Sequence, residues 1–182
     1  MKQRRNKGFT LFESLLSSTL IALVVGGMVY AQMNVMRAWQ NGIQKEQAQR
    51  QGQRAVREIR TALMEAAIVE VLDSGRTLRF RMPQQDSNGN YLVPVVPAPA
   101  QQARVISVSS GGDVTYDGRN ILRGVTQTRS NGQSYANFTL IPAGANTSVL
   151  HVRFNVKQRV STPNQNYAQS WIEETIFLRN LQ

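Results

Sequence analysis

Gly8-Phe9-Thr10-Leu11-Phe12-Glu13 leads into a run, Ser14 to Met36, in which 23 consecutive residues carry no charge. Wound as a helix at about 1.5 Å per residue, that run is ~34 Å long, enough to cross a hydrocarbon core of about 30 Å. Its most apolar part is Leu20 to Ala31, with Ile21, Leu23, Val24, Val25, Met28 and Val29. Gly26 and Gly27 would weaken an isolated helix in water, but glycine is common in membrane helices. Lys2, Arg4, Arg5 and Lys7 precede the run, while Arg37, Lys45 and Arg50 follow it closely. The charge bias that orients a membrane helix is therefore slight.

Three readings compete for this N-terminus. It is an uncleaved signal anchor, or a secretory signal peptide cut near Val29-Tyr30-Ala31, or something that also accounts for Glu13. The uncharged run exceeds the apolar region of about 7–15 residues usual in secretory signals. Glu13 stands inside the leading edge of the apolar segment, where a carboxylate without a partner costs a few kcal/mol. An acid retained there points to a function.

Gly8-Phe9-Thr10-Leu11-Phe12-Glu13 resembles the cleavage and methylation motif of type IV prepilins and type II secretion pseudopilins, whose pattern is Gly, Phe, Thr, Leu, an apolar residue, then Glu. Only Phe12 departs, an aliphatic residue being commoner there. The short basic leader and the long apolar segment match as well. The resemblance implies cleavage by a prepilin peptidase between Gly8 and Phe9 on the cytoplasmic side, and N-methylation of Phe9. It further implies that Glu13 pairs with the N-terminal amine of a neighbouring subunit during assembly. The plain alternative is that Glu13 complements its own helix N-terminus, an effect of about 0.3–1 kcal/mol. The implied setting is a bacterial inner membrane crossed once, with the head exported and then built into a pilus or pseudopilus. The implied partners are other pilin or pseudopilin subunits, the peptidase and membrane lipid.

Working outward, no proline occurs before Pro83, so one helix is expected from about Thr10 to about Val69. Ala48, Gly52, Ala55, Ile59, Ala62 and Ala66, widened by Val56, Leu63 and Ala67, recur at helical spacing and predict a small-residue face lying on a sheet. Beyond Asp73-Ser74-Gly75 the periodicity switches to that of strands. Candidates are 77–82, 104–109, 113–116, 120–123, 137–141, 149–159 and 171–179, separated by Gly, Asn and Pro turn signals. The last two candidates pair as a hairpin, in which Leu150, Val152, Phe154 and Val156 alternate cleanly while Ile172, Thr175 and Phe177 fit less neatly, which suggests a bulge near Glu173-Glu174. The expected fold is α+β and pilin-like: a leader 1–8, a membrane-spanning half-helix 9–36, an amphipathic half-helix 37–70, and a β-rich head 71–182. The closing Thr175-Ile176-Phe177-Leu178-Arg179-Asn180, with Ile121-Leu122-Arg123, resembles J-type minor pseudopilins and PilW-type minor pilins.

The formal charge of the chain is +10, and without the four leader cations 17 basic residues face 11 acidic ones. Such a surface admits weak contact with DNA, as in a competence pilus, or with another anionic surface. The arginines at 50, 54, 57 and 60 are diluted by glutamine and lack interleaved aromatics, which favours a solvated face. No cysteine is present, so disulfides, thiolate metal sites and thiol nucleophiles are excluded. The one histidine, His151, falls in a strand pattern and reads as a cross-strand residue. Asp113 and Asp117 read as turn formers, and the Asp86 to Asn90 run lacks the downstream acid of a calcium loop. No catalytic constellation and no cofactor are expected. The functional expectation is a minor structural or assembly subunit. Alternatives are a DNA- or surface-binding member of the same fibre, or an unrelated signal-anchored β-domain.

Overall fold

Helix α1 (Leu11–Met64) occupies 54 residues and carries the N-terminal third of the protein. The computed structural model describes residues 10–129, 131–144, 147–162 and 165–179. Its contacts separate into two compact units that divide after Gly42. In the first unit α1 leaves its apolar residues exposed, Leu23 at 75% and Met28 at 70% among them. An 18-residue window there has a mean hydropathy of 1.8 with none of it buried. One N-terminal helix is thus long and apolar enough to span a membrane.

The second unit is an α+β head, in which the rest of α1 buries Ala48, Gly52, Ala55, Val56, Ile59 and Leu63. These are the residues that the helical spacing set on one face. The helix stops at Met64 instead of running to Val69. Ile68–Leu72 forms strand β1, because its β-branched alternation pairs Val69 with Phe80 and Val71 with Leu78 of β2 (Thr77–Arg81). The ladder takes over at once, since the Ala67 N–H donates to the Arg81 carbonyl at 2.8 Å. Strand structure therefore begins inside the segment expected to be helical.

β1 and β2 continue through β3 (Arg104–Val108), β4 (Val114–Tyr116) and β5 (Arg119–Leu122) as a five-stranded antiparallel meander in sequence order. The second sheet contains β6 (Val125–Thr126), β7 (Phe138–Gly144), β8 (Thr147–Thr162) and β9 (Gln165–Arg179). β8 is its spine: β7 and β6 pair with successive parts of it, and β9 also pairs with it. One apolar cluster joins both sheets to α1, with Phe80, Phe138, Phe154, Leu78, Ile106, Leu150 and Ile59 fully enclosed.

The β8–β9 hairpin forms as expected, but without a bulge at Glu173-Glu174. Its register runs unbroken from Thr147↔Arg179 to Arg159↔Tyr167 and shifts only between Arg159 and Thr162. The inward set is Ser170, Ile172, Ile176 and Leu178, all buried, with Glu174 between them, whereas Phe177 is 82% exposed. A charged residue at an inward position needs no bulge because Arg60 of α1 forms an ion pair with Glu174. Helix and hairpin also meet at Gly52, where an added Cβ would lie 1.8 Å from the Ile172 Cδ1 atom.

Candidate functional site

The start of α1 is built by a reciprocal exchange between two side chains. Thr10 precedes the first helical residue, and its hydroxyl accepts the Glu13 N–H at 3.3 Å. Glu13 reaches back, its Oε2 accepting the Thr10 N–H at 3.1 Å and the Thr10 hydroxyl at 3.1 Å. This is a capping box, Thr-x-x-Glu, in which a carboxylate and a hydroxyl satisfy N–H groups that no earlier turn can serve. The Ser14 N–H then donates to the Thr10 carbonyl at 3.2 Å, the first bond of the helical ladder. Glu13 is thus positioned as an N-terminal acid complementing its own helix. Its carboxylate already holds two donors, which lowers the cost of keeping it beside an apolar segment. Gly8 and Phe9, the expected cleavage pair, lie outside the described residues. Downstream, Ser14, Ser18 and Thr19 donate their hydroxyls to carbonyls three or four residues earlier. These three hydroxyls are thereby satisfied within the helix itself.

Other residues singled out from sequence have local roles. His151 faces Thr175 across the hairpin, Nδ1 lying 3.3 Å from Oγ1. Asp86 closes its turn by accepting the Asn88 and Asn90 N–H groups at 2.8 and 2.9 Å, and those backbone donors, Asn90 first, lower its carboxyl pKa. Asp117 accepts the Val105 N–H at 2.9 Å. Among the described residues no three of His, Asp and Glu gather as metal ligands.

The structure also assembles a polar site in the head that the sequence does not reveal. A cleft of about 740 Å³ is lined by residues of α1, of β8 and β9, and of the segment after β6. Lys45 and Gln49 come from α1, four positions apart and so on one helix face. Gln169, Trp171 and Glu173 alternate along β9 and so share one face of the sheet, while Arg129 stands over the Trp171 ring at 5.1 Å. The floor is held by a buried polar network. The Tyr135 hydroxyl accepts the Asn155 N–H at 2.8 Å and donates to the Thr126 carbonyl. The Asn155 amide donates to the Thr128 carbonyl at 2.9 Å, and the Tyr135 ring meets Trp171 edge-on at 4.8 Å. Burial pushes the Tyr135 hydroxyl up to about 12. Glu173 accepts from Arg153 at 2.8 Å, and that guanidinium lowers its pKa and keeps it ionised. These residues lie far apart in the chain, and no local motif connects them.

Compared with protein-family models, with curated proteins and with solved structures, the chain matches none.

Proposed function

We propose that the chain is a minor structural or assembly subunit of a type IV pilus or a type II secretion pseudopilus, processed by a prepilin peptidase between Gly8 and Phe9. The observation that carries this reading is the division of labour along α1. One continuous helix holds an exposed, uncharged, membrane-length segment with a single acid, Glu13, in its first turn, and beyond Gly42 it supplies the buried stripe of an α+β head. An ordinary signal peptide contributes nothing to the folded head, whereas here the same helix serves both parts.

In this reading the apolar half first sits in the inner membrane with the head exported, and later lies among the same halves of neighbouring subunits. Cleavage frees an amine at Phe9, four residues before Glu13. In the free subunit the Glu13 carboxylate is occupied by Thr10. In the fibre it would meet a neighbour's amine in a medium of low dielectric, where such a pair is stronger than at a wet surface.

The test is mass spectrometry of the mature protein recovered from membranes. The expected chain begins at Phe9 and carries one methyl group on its amine. A chain beginning at Gln32, or one retaining the leader, would overturn the proposal.

A further inference from the structure

We infer that the head cleft between α1 and the β8–β9 hairpin binds an acidic saccharide, a sugar unit bearing a carboxylate beside its hydroxyls. Four kinds of observation converge on this ligand, and none depends on the assembly role proposed above. The first is size. The cleft of about 740 Å³ lies within the about 300–1,000 Å³ of small-ligand sites. Trp171 is the only tryptophan or tyrosine among its lining residues, so it offers no row of rings for successive bases.

The second is charge. From α1 the cleft receives Lys45; Glu46 and Arg50, on the same helix, pair with each other. From the segment after β6 it receives Arg129, and from β9 Glu173, whose charge is offset by its ion pair with Arg153 of β8. Lys45 and Arg129 have no acidic partner among the described residues, so the cleft is net positive and suits an anion.

The third is the carboxylate of Glu173, which separates a sugar from a bare polyanion. It sits in the cleft with Arg153 and the Trp171 indole N–H on its oxygens. Beside a phosphate chain it would repel, whereas beside hydroxyl groups it is an acceptor. The side chains of Gln49, Gln169 and Ser170 have no hydrogen-bond partner among the described residues, although Ser170 is only 5% exposed. Amides and hydroxyls both donate and accept, as sugar hydroxyls do.

The fourth is rigidity. The Trp171 ring is held between a T-shaped contact with Tyr135 at 4.8 Å and the Arg129 guanidinium at 5.1 Å, and the Tyr135 hydroxyl is tied to the backbone on both sides. A preordered aromatic ring loses little freedom when a ligand packs on it.

The experiment uses the full chain in detergent with Trp39→Phe, which leaves Trp171 as the sole tryptophan of the two in the sequence. Its fluorescence is titrated with digalacturonate, with the neutral disaccharide maltose and with an oligothymidylate. A saturable change is expected with digalacturonate, with an affinity about tenfold or more above that for maltose, because a hydrogen bond to a charged group contributes on that scale. Lys45→Gln, an exposed substitution that leaves the circular dichroism unchanged, should weaken digalacturonate by about tenfold and leave maltose unaltered. Three results would each overturn the inference: no saturable change with digalacturonate at millimolar concentrations, equal affinity for the neutral sugar, or tighter binding of the oligothymidylate, which would make the cleft a nucleic-acid site.

Discussion

Gly52 and Ile172 offer a quantitative test of how the helix is seated. A Cβ built on Gly52 falls 1.8 Å from the Ile172 Cδ1, 3.2 Å from its Cγ1 and 3.4 Å from a Val156 methyl. Gly52→Ala gains up to about 1 kcal/mol of helix propensity. It then loses about 1–3 kcal/mol to overpacking, since the isoleucine is enclosed and has little room to move. The net effect is a loss of up to about 2 kcal/mol. Ile172→Val removes the Cδ1 atom and alone costs about 0.5–1.5 kcal/mol. In the double variant the new alanine methyl occupies the vacated space, so stability should return to that of the original protein or exceed it. The expected coupling is favourable by about 1–3 kcal/mol. Urea unfolding of the detergent-solubilised chain, followed by tryptophan fluorescence for all four proteins, gives the cycle. Gly42→Ala, with nothing within 4 Å of its Cβ, is the control and shows the propensity gain alone. If Gly52→Ala stabilised as Gly42→Ala does, or if the two changes were additive, the helix would not rest on the hairpin at this point.

Glu13→Gln keeps the capping box, since glutamine serves at that position too. It removes the charge, so membrane levels and leader cleavage should persist while the amount in sheared fibres falls several-fold; normal incorporation would restrict Glu13 to capping. Tyr135 titrates at about 12 in the fold against an ordinary 10.0. The unfolded chain therefore loses this proton first, and the stabilisation present below pH 10 is lost as pH rises towards 12. Tyr135→Phe should flatten that stretch of the stability profile and cost about 1–3 kcal/mol at neutral pH by stranding the Asn155 N–H. Arg60→Ala leaves Glu174 unpaired among buried residues and should destabilise the head more than Arg50→Ala, whose partner Glu46 is exposed; equal melting shifts would show that Glu174 finds water instead.

Much of the head was legible because alternation and turn residues coincide. β2 to β5 and β7 to β9 fall where period-2 runs lie between glycines, asparagines and prolines. β1 was hidden because Ala62, Ala66 and Ala67 prolong the helical spacing into Ile68-Val69, which satisfies either period. β6 is two residues long, shorter than any pattern. The expected bulge in β9 is absent because Glu174, which breaks the apolar alternation, takes its inward place with Arg60 of another element as its ion-pair partner. The capping box was implicit in Thr10 and Glu13, three positions apart, although the sequence reading gave the acid an assembly role or a general interaction with the helix terminus and did not pair it with Thr10. The cleft left no local trace, as Lys45, Arg129 and Trp171 converge only through the fold.

Helix α1 meets β9 through Gly52–Ile172 and Arg60–Glu174, which joins the first described element to the last. During synthesis the stripe Ala48 to Leu63 emerges long before the strand that covers it. Closing so long a loop is slow, because chain entropy is lost before the contacts form. Throughout that interval the apolar stripe is open to premature association. The head is therefore committed late, when its final strand arrives, and a chain stalled or clipped before β9 would keep its helix but expose the stripe. Such a chain would present to proteases the apolar surface that β9 covers in the folded head.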